Sequence, residues 1–212
     1  MESNELDKKI SAIKSLLESA LKAQQSEKAR LLKKAIEMAT GDDNAIIKNI
    51  KKLMDGFQEH AEWSIRKFAN DADYAANKPY AICPIHGNEL TNAGINLMLS
   101  AICVTGQTLF SNANAYLCVG DSTTAFAATQ TDLQASTNKL RKAMDASYPT
   151  YGTAQKATWK STFASGDANY AWQEFAVANA STGGTILNRK VSSQGTKVSG
   201  QVWELSLEVS LS

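Results

Sequence analysis

The 212-residue chain is poor in the side chains that most often carry catalysis or bind metals. It has three cysteines, two histidines and three prolines. Cys83, Cys103 and Cys118 are odd in number and widely spaced, with no C-x-x-C pair. That excludes a disulfide framework and a cysteine zinc site. Cys103 and Cys118 instead read as small buried apolar residues. His60 and His86 stand 26 residues apart with no acidic cluster beside them, a poor start for a metal site. There is no Walker A sequence and no G-x-G-x-x-G, so no cofactor is expected. No apolar run approaches the roughly 20 residues needed to span a bilayer. The opening MESNELDKKI has no apolar core of the signal-peptide kind, so the expectation is a protein made and folded in a cytoplasm. A formal net charge of +1 gives no field to draw the chain onto nucleic acid or membrane.

What is present divides unevenly. Residues 1–70 hold 13 of the 22 basic and 11 of the 21 acidic side chains, and two of the 12 glycines. The remainder is rich in Ser, Thr, Ala, Asn and Gly. The expected organisation is a helical anchoring or oligomerisation segment over 1–70, a linker over 71–87 and a β-rich module over 88–212.

In the first part, Leu6, Ile10, Ile13 and Leu17 recur at spacings of three and four, which predicts an amphipathic helix. Steps of seven from Ile10 reach Leu17, Gln24, Leu31 and Met38, a coiled-coil-like seam with a polar middle. TGDDN at 40–44 breaks it. Ile46, Ile50, Leu53 and Phe57 then form a second stripe, which Ala61, Ile65 and Phe68 extend. A helix pair this small buries little surface alone. The seam therefore fits self-association, with a trimer as the best single expectation, or docking onto a larger assembly.

In the second part, Thr91 or Asn92 can cap a helix that buries Ile95, Met98, Leu99 and Ile102. Short strands follow at 114–119, 158–164, 170–178 and 185–191. The closing QVWELSLEVSL alternates cleanly, with Trp203, Leu205, Leu207 and Val209 on one face and Glu204, Ser206 and Glu208 on the other. Trp159 and Phe163 alternate in the same way. These six apolar residues are the expected core. The fold class is thus α+β: two N-terminal amphipathic helices, then an antiparallel β-sandwich-like domain with one leading helix.

One short motif hints at chemistry. Gly120-Asp121-Ser122 after an apolar strand is how one class of serine esterases presents its nucleophile. A serine hydrolase needs a base to take the hydroxyl proton, usually histidine, and no histidine follows Ser122. The motif reads better as a turn, in which Asp and Ser side chains satisfy local backbone groups. Lys139, Arg141 and Lys142 are flanked by Asp132 and Asp145 and read as a solvated strand edge. Trp159, Trp172 and Trp203 could stack on carbohydrate, but Trp159 and Trp203 fall on apolar faces and read as core.

NELTNAGINLML, NAYLCVGDSTTAFAATQTDLQA, NKLRKAMDASYP, ANYAWQEFAVANASTGGTILNRKV and WELSLEVSLS follow one another in order over residues 88–212. As a set they resemble structural proteins of tailed-bacteriophage virions, variously capsid-decorating, head-fibre or tail-fibre modules. The resemblance implies a small β-rich virion module without catalytic residues or cofactor, assembled in the host cytoplasm. Its implied partners are its own copies and other virion proteins, such as major capsid or tail proteins. Capsid decoration or a head fibre is the leading expectation, with a receptor-engaging tail-fibre or baseplate component second. A surface-glycan or ester hydrolase is the remote third.

Overall fold

The computed structural model describes residues 59–87 and 89–211. The expected helical seam of Leu6, Ile10, Ile13, Leu17, Leu31, Met38, Ile46, Ile50, Leu53 and Phe57 lies outside the described residues. The described residues belong to a compact unit that begins at Glu59. Its elements are β1 (Glu59–Phe68), α1 (Asp71–Ala75), β2 (Ala81–His86), α2 (Asn92–Cys103), β3 (Tyr116–Gly120), β4 (Lys139–Ala143), β5 (Thr150–Thr153), β6 (Lys156–Phe163), β7 (Glu174–Ala178), β8 (Ile186–Val191) and β9 (Val202–Leu211). The strands make two antiparallel sheets, one ordered β2-β1-β9-β6-β5 and the other β4-β3-β7-β8.

Two features correct the sequence expectation. The spacing of Ala61, Ile65 and Phe68 fits a helix, yet these residues lie in β1. The same stretch also alternates, with Trp63 and Ile65 fully buried and Glu62, Ser64 and Arg66 at the intervening, more exposed positions on either side of them. Pairing decides between the two periods: β1 is hydrogen-bonded to β2 on one side and to β9 on the other, with Trp63 opposite Ile85 and Leu207. The stretch 71–87 is likewise no linker. Asn70 caps α1, its side-chain oxygen accepting from the Asp73 amide at 2.9 Å, and β2 closes one edge of the five-stranded sheet. The β domain therefore starts about thirty residues before position 88, at Glu59.

The sheets face each other across one core. Trp63, Trp172, Trp203, Phe163 and Phe175 stack at its centre. Trp172 meets Phe163 at 4.8 Å and Trp203 at 4.9 Å between ring centroids, both edge-on, the arrangement aromatic quadrupoles favour. Trp63 reaches across to Phe175 of the other sheet at 6.0 Å. Trp159, Leu205, Leu207 and Val209 line the same core, so all six expected core residues are buried.

The outer faces differ. On the five-stranded sheet, Glu204 accepts from Arg66 on one side and from Lys160 on the other, both at 3.0 Å, and Lys156 pairs with Glu208 at 3.0 Å. Burial works against the charge on Lys160, but its hydrogen bond to Glu204 together with the charges of Glu204 and Asp145 and the nearby Tyr148 hold its pKa above the ordinary lysine value. The outer face of the four-stranded sheet is covered instead. The long connection from β3 to β4 folds back over it, and Leu133 packs on Cys118, Ala176, Ala178 and Ile186 in a second small core. Burial pushes the Cys118 thiol up to about 12, so it stays protonated and inert.

Candidate assembly surface

The polar groups singled out in the sequence are engaged in hydrogen bonds and ion pairs. Ser122 donates to the Thr124 hydroxyl at 3.0 Å and accepts from the Thr124 amide at 3.2 Å, a local turn in which its oxygen is already engaged. Gly120 before it has a packing reason: a Cβ there would run into Oε1 of Glu174. Glu174 is fully buried and anchors the covering connection. Its carboxylate accepts from the amides of Gln134 at 2.9 Å and Ala135 at 2.7 Å, and from Nε of Arg189 at 2.7 Å. Arg189, also fully buried, donates onward to Gln130 and to the Thr124 carbonyl.

The basic cluster on β4 is likewise committed. Arg141 pairs with Asp132 at 2.8 Å and donates to the carbonyls of Ala180 and Gly183. Lys139 reaches Asp132, and Lys142 pairs with Asp167 at 2.6 Å. Desolvation works against the Asp132 and Asp167 carboxylates, but the side-chain hydrogen bonds from Arg141 and Lys142, the backbone hydrogen bonds from Leu133 and Ala164 and the neighbouring positive charges together hold both below the usual value. Among the described residues, no three His, Cys, Asp or Glu side chains converge as metal ligands.

The surface that stands out lies on α2. Thr91 caps the helix as one of the two expected candidates, accepting from the Gly94 amide at 2.9 Å while donating to the Ile186 carbonyl at 2.7 Å. The helix then presents a different side to the core from the one its bulk predicts. Gly94 is the buried residue, and a Cβ there would strike the backbone of Leu187 on β8. The missing side chain lets the helix axis come close to β8. Residues one step apart on a helix are about 100° apart around it, so turning Gly94 and Met98 inward swings Ile95, Leu99 and Ile102 out. These are 39%, 57% and 83% exposed, where burial was expected. Cys103, expected inside, is exposed as well.

Beside this ridge lies an apolar groove of about 410 Å³. One wall is Leu97, Met98 and Ala101 of α2, and the other is Pro149, Tyr151, Ala157 and Trp159 around β5 and β6. Leu109 and Phe110 close it, and Ser111 and Tyr151 bring the hydroxyls of the lining. The walls are held in place: Trp159 donates its indole N–H to the Phe110 carbonyl at 3.0 Å, and Asn112 donates to the Tyr148 carbonyl at 2.6 Å. Tyr151, on the edge strand β5, is 78% exposed at the lip.

No acidic or basic side chain occurs from 91 to 120. Helix periodicity alone hid this surface, because Gly94-Met98-Ala101 and Ile95-Leu99-Ile102 are equally regular stripes. The uncharged run was the signal that could have revealed it, since a solvent-facing helix ordinarily carries charge on its outer side. No protein-family model, curated protein or solved structure matches this chain.

Proposed function

We propose that the protein is a non-enzymatic structural component of a tailed-bacteriophage virion, of the capsid-decorating or head-fibre kind, built as a β-sandwich-like module behind a helical N-terminal segment. The observation that carries this reading is the uncharged apolar face of α2 with its adjoining groove. Monomeric soluble domains rarely leave such a patch open, and larger ones mark interaction sites. The hydrogen bonds that Ser122 makes to Thr124, beside the buried Glu174–Arg189 pair that holds the β3–β4 connection, support the same direction. The order of motifs over 88–212 supplies the virion context, and residues 1–58 supply the amphipathic sequence pattern expected of an anchor. On a symmetric particle many weak contacts of this kind add through multivalency.

Electron microscopy of purified particles carrying gold-labelled antibody against the protein tests the reading. Label over the head is expected. Label confined to the tail would move the protein to the receptor-engaging alternative, and particles without label would overturn both. A p-nitrophenyl ester assay covers the hydrolase alternative: no turnover is expected, and turnover lost in Ser122→Ala would reverse the structural assignment.

A further inference from the structure

We infer that the β6–β7 loop is a cation-binding loop whose cation the chain supplies itself. The Lys197 ammonium fills a site for a primary alkylammonium ion, and such an ion takes the place when the side chain is cut away.

Geometry is the first reason. Lys197 is fully buried. Its Nζ donates to the carbonyls of Ala164 at 2.7 Å and Asp167 at 2.9 Å, and to Oδ1 of Asn169 at 2.9 Å. An ammonium has three donors and no acceptor, so each N–H has one oxygen. Asn169 donates its own amide to the Ser165 carbonyl at 3.0 Å, which leaves Oδ1 for the lysine. All three oxygens belong to residues 164–169. They stand at hydrogen-bond length, whereas a calcium ion would hold oxygens at about 2.3–2.6 Å.

Charge is the second. The three oxygens are neutral, because the Asp167 carboxylate is spent on Lys142 at 2.6 Å and on the Ala164 amide at 2.9 Å. Neutral oxygens around one point suit a single positive charge. Burial lowers the Lys197 pKa, with the charges of Asp167 and Asp71 acting against it and that of Lys142 with it. An ammonium taken out of water needs every N–H met by an acceptor, and the loop meets all three.

The shape of the loop is the third. Ala168 lies at φ 47°, in the left-handed region that a Cβ disfavours. A residue keeps that conformation only where its surroundings impose it. On one side the Ala168 carbonyl is held by the Tyr170 amide and the Trp172 indole. On the other, the converging oxygens would repel one another without a cation between them. The consequence reaches beyond the loop. It joins β6 to β7, and Lys197 stands between β8 and β9, so one ammonium ties together two connections that carry the chain from sheet to sheet.

The test is chemical rescue of the full chain. Lys197→Ala removes the equivalent of one propylammonium ion. Its melting temperature should fall well below that of wild type, and propylammonium chloride should restore part of the loss saturably, by about 3 °C or more. Tetramethylammonium chloride, a cation without N–H donors, should restore less than about 1 °C at the same concentration. Lys197→Met refills the channel with an apolar chain, so it should be destabilised yet indifferent to propylammonium. If Lys197→Ala is recovered only unfolded, the same salts are compared on its refolding yield. In wild type, ¹⁵N-lysine labelling should show a slowly exchanging ammonium signal that Lys197→Met removes.

Three outcomes would overturn the inference. The first is no gain from propylammonium in either melting or refolding. The second is an equal gain from tetramethylammonium. The third is a wild-type mass short by one ammonia, which would mean that the Lys197 amine has condensed with the Asn169 carboxamide into an amide. None of these measurements involves particles, so the virion reading stands or falls separately.

Discussion

An arginine and a glutamate pair on the outer face of each sheet, and the two pairs live in different surroundings. Arg66 and Glu204 meet at 3.0 Å with the arginine side chain 29% exposed and the glutamate 7%. Arg189 and Glu174 meet at 2.7 Å with both side chains fully buried. The first pair is one rung in a water-facing ladder, where Lys160 also serves the same glutamate. The second is sealed under the β3–β4 connection and holds that connection through the amides of Gln134 and Ala135. Identical chemistry thus does two jobs. At the open face it adds a modest cross-strand attraction, and at the covered face each charge is committed to the other because water cannot replace a lost partner.

The contrast can be broken from its two ends. The largest effect is expected at the face shared by both sheets. Leu207→Asp places an unpaired carboxylate in the aromatic core and should cost more than about 4 kcal/mol, enough to prevent folding. Glu208→Lys, one residue on and partly exposed, loses its pairing with Lys156 and should cost no more than about 1 kcal/mol. Thermal melts that rank Glu208→Lys below Leu207→Asp would mean that the strand register is wrong. Next comes the pair itself. Arg189→Met strands a buried carboxylate and should cost about 3–5 kcal/mol, whereas Arg66→Met should cost no more than about 1 kcal/mol. Urea unfolding of both variants measures the difference directly, and equal losses would show that burial is not what separates them.

The smallest effect is in acid. Asp132 and Asp167 have folded pKa values below their ordinary 3.8. A depressed carboxylate contributes stability that is complete above the unfolded value and is lost as pH falls through the folded one. The stability gap between wild type and Asp132→Asn should therefore be constant above about pH 5 and shrink below about pH 4. A gap that widens in acid would mean that Asp132 is not held ionised by Arg141.

The same contrast explains what could be read before the structure was known. In β9 the outward Ser206 and Glu208 are partly exposed and the outward Glu204 is held by Arg66 and Lys160, so polar and apolar positions alternate and the inward set is plain in the sequence. In β7 every residue from Glu174 to Ala178 is buried. Its strand shows no alternation, because the face that should be polar lies under Leu133 and Ala135. Nothing local to Glu174 or Arg189 announces that they meet fifteen positions apart beneath a connection. β1 was misjudged for a different reason: Ala61, Ile65 and Phe68 satisfy the helical period by coincidence, and only pairing with distant β2 and β9 settles the matter. On α2 the deciding residue was the one with no side chain, Gly94, whose value is measured by what can approach it.

The position of β9 sets the order of events during synthesis. It is the last of the described strands to emerge from the ribosome, yet it lies between β1 and β6 and pairs with both along nearly its whole length. Until it arrives, β1 and β6 have no common neighbour and each offers an open row of amides and carbonyls. Between Phe163 at the end of β6 and Val202 at the start of β9, translation at ~5–20 residues per second takes roughly 2–8 s. For that interval the half-made chain carries two open strand edges, which the middle strand then closes.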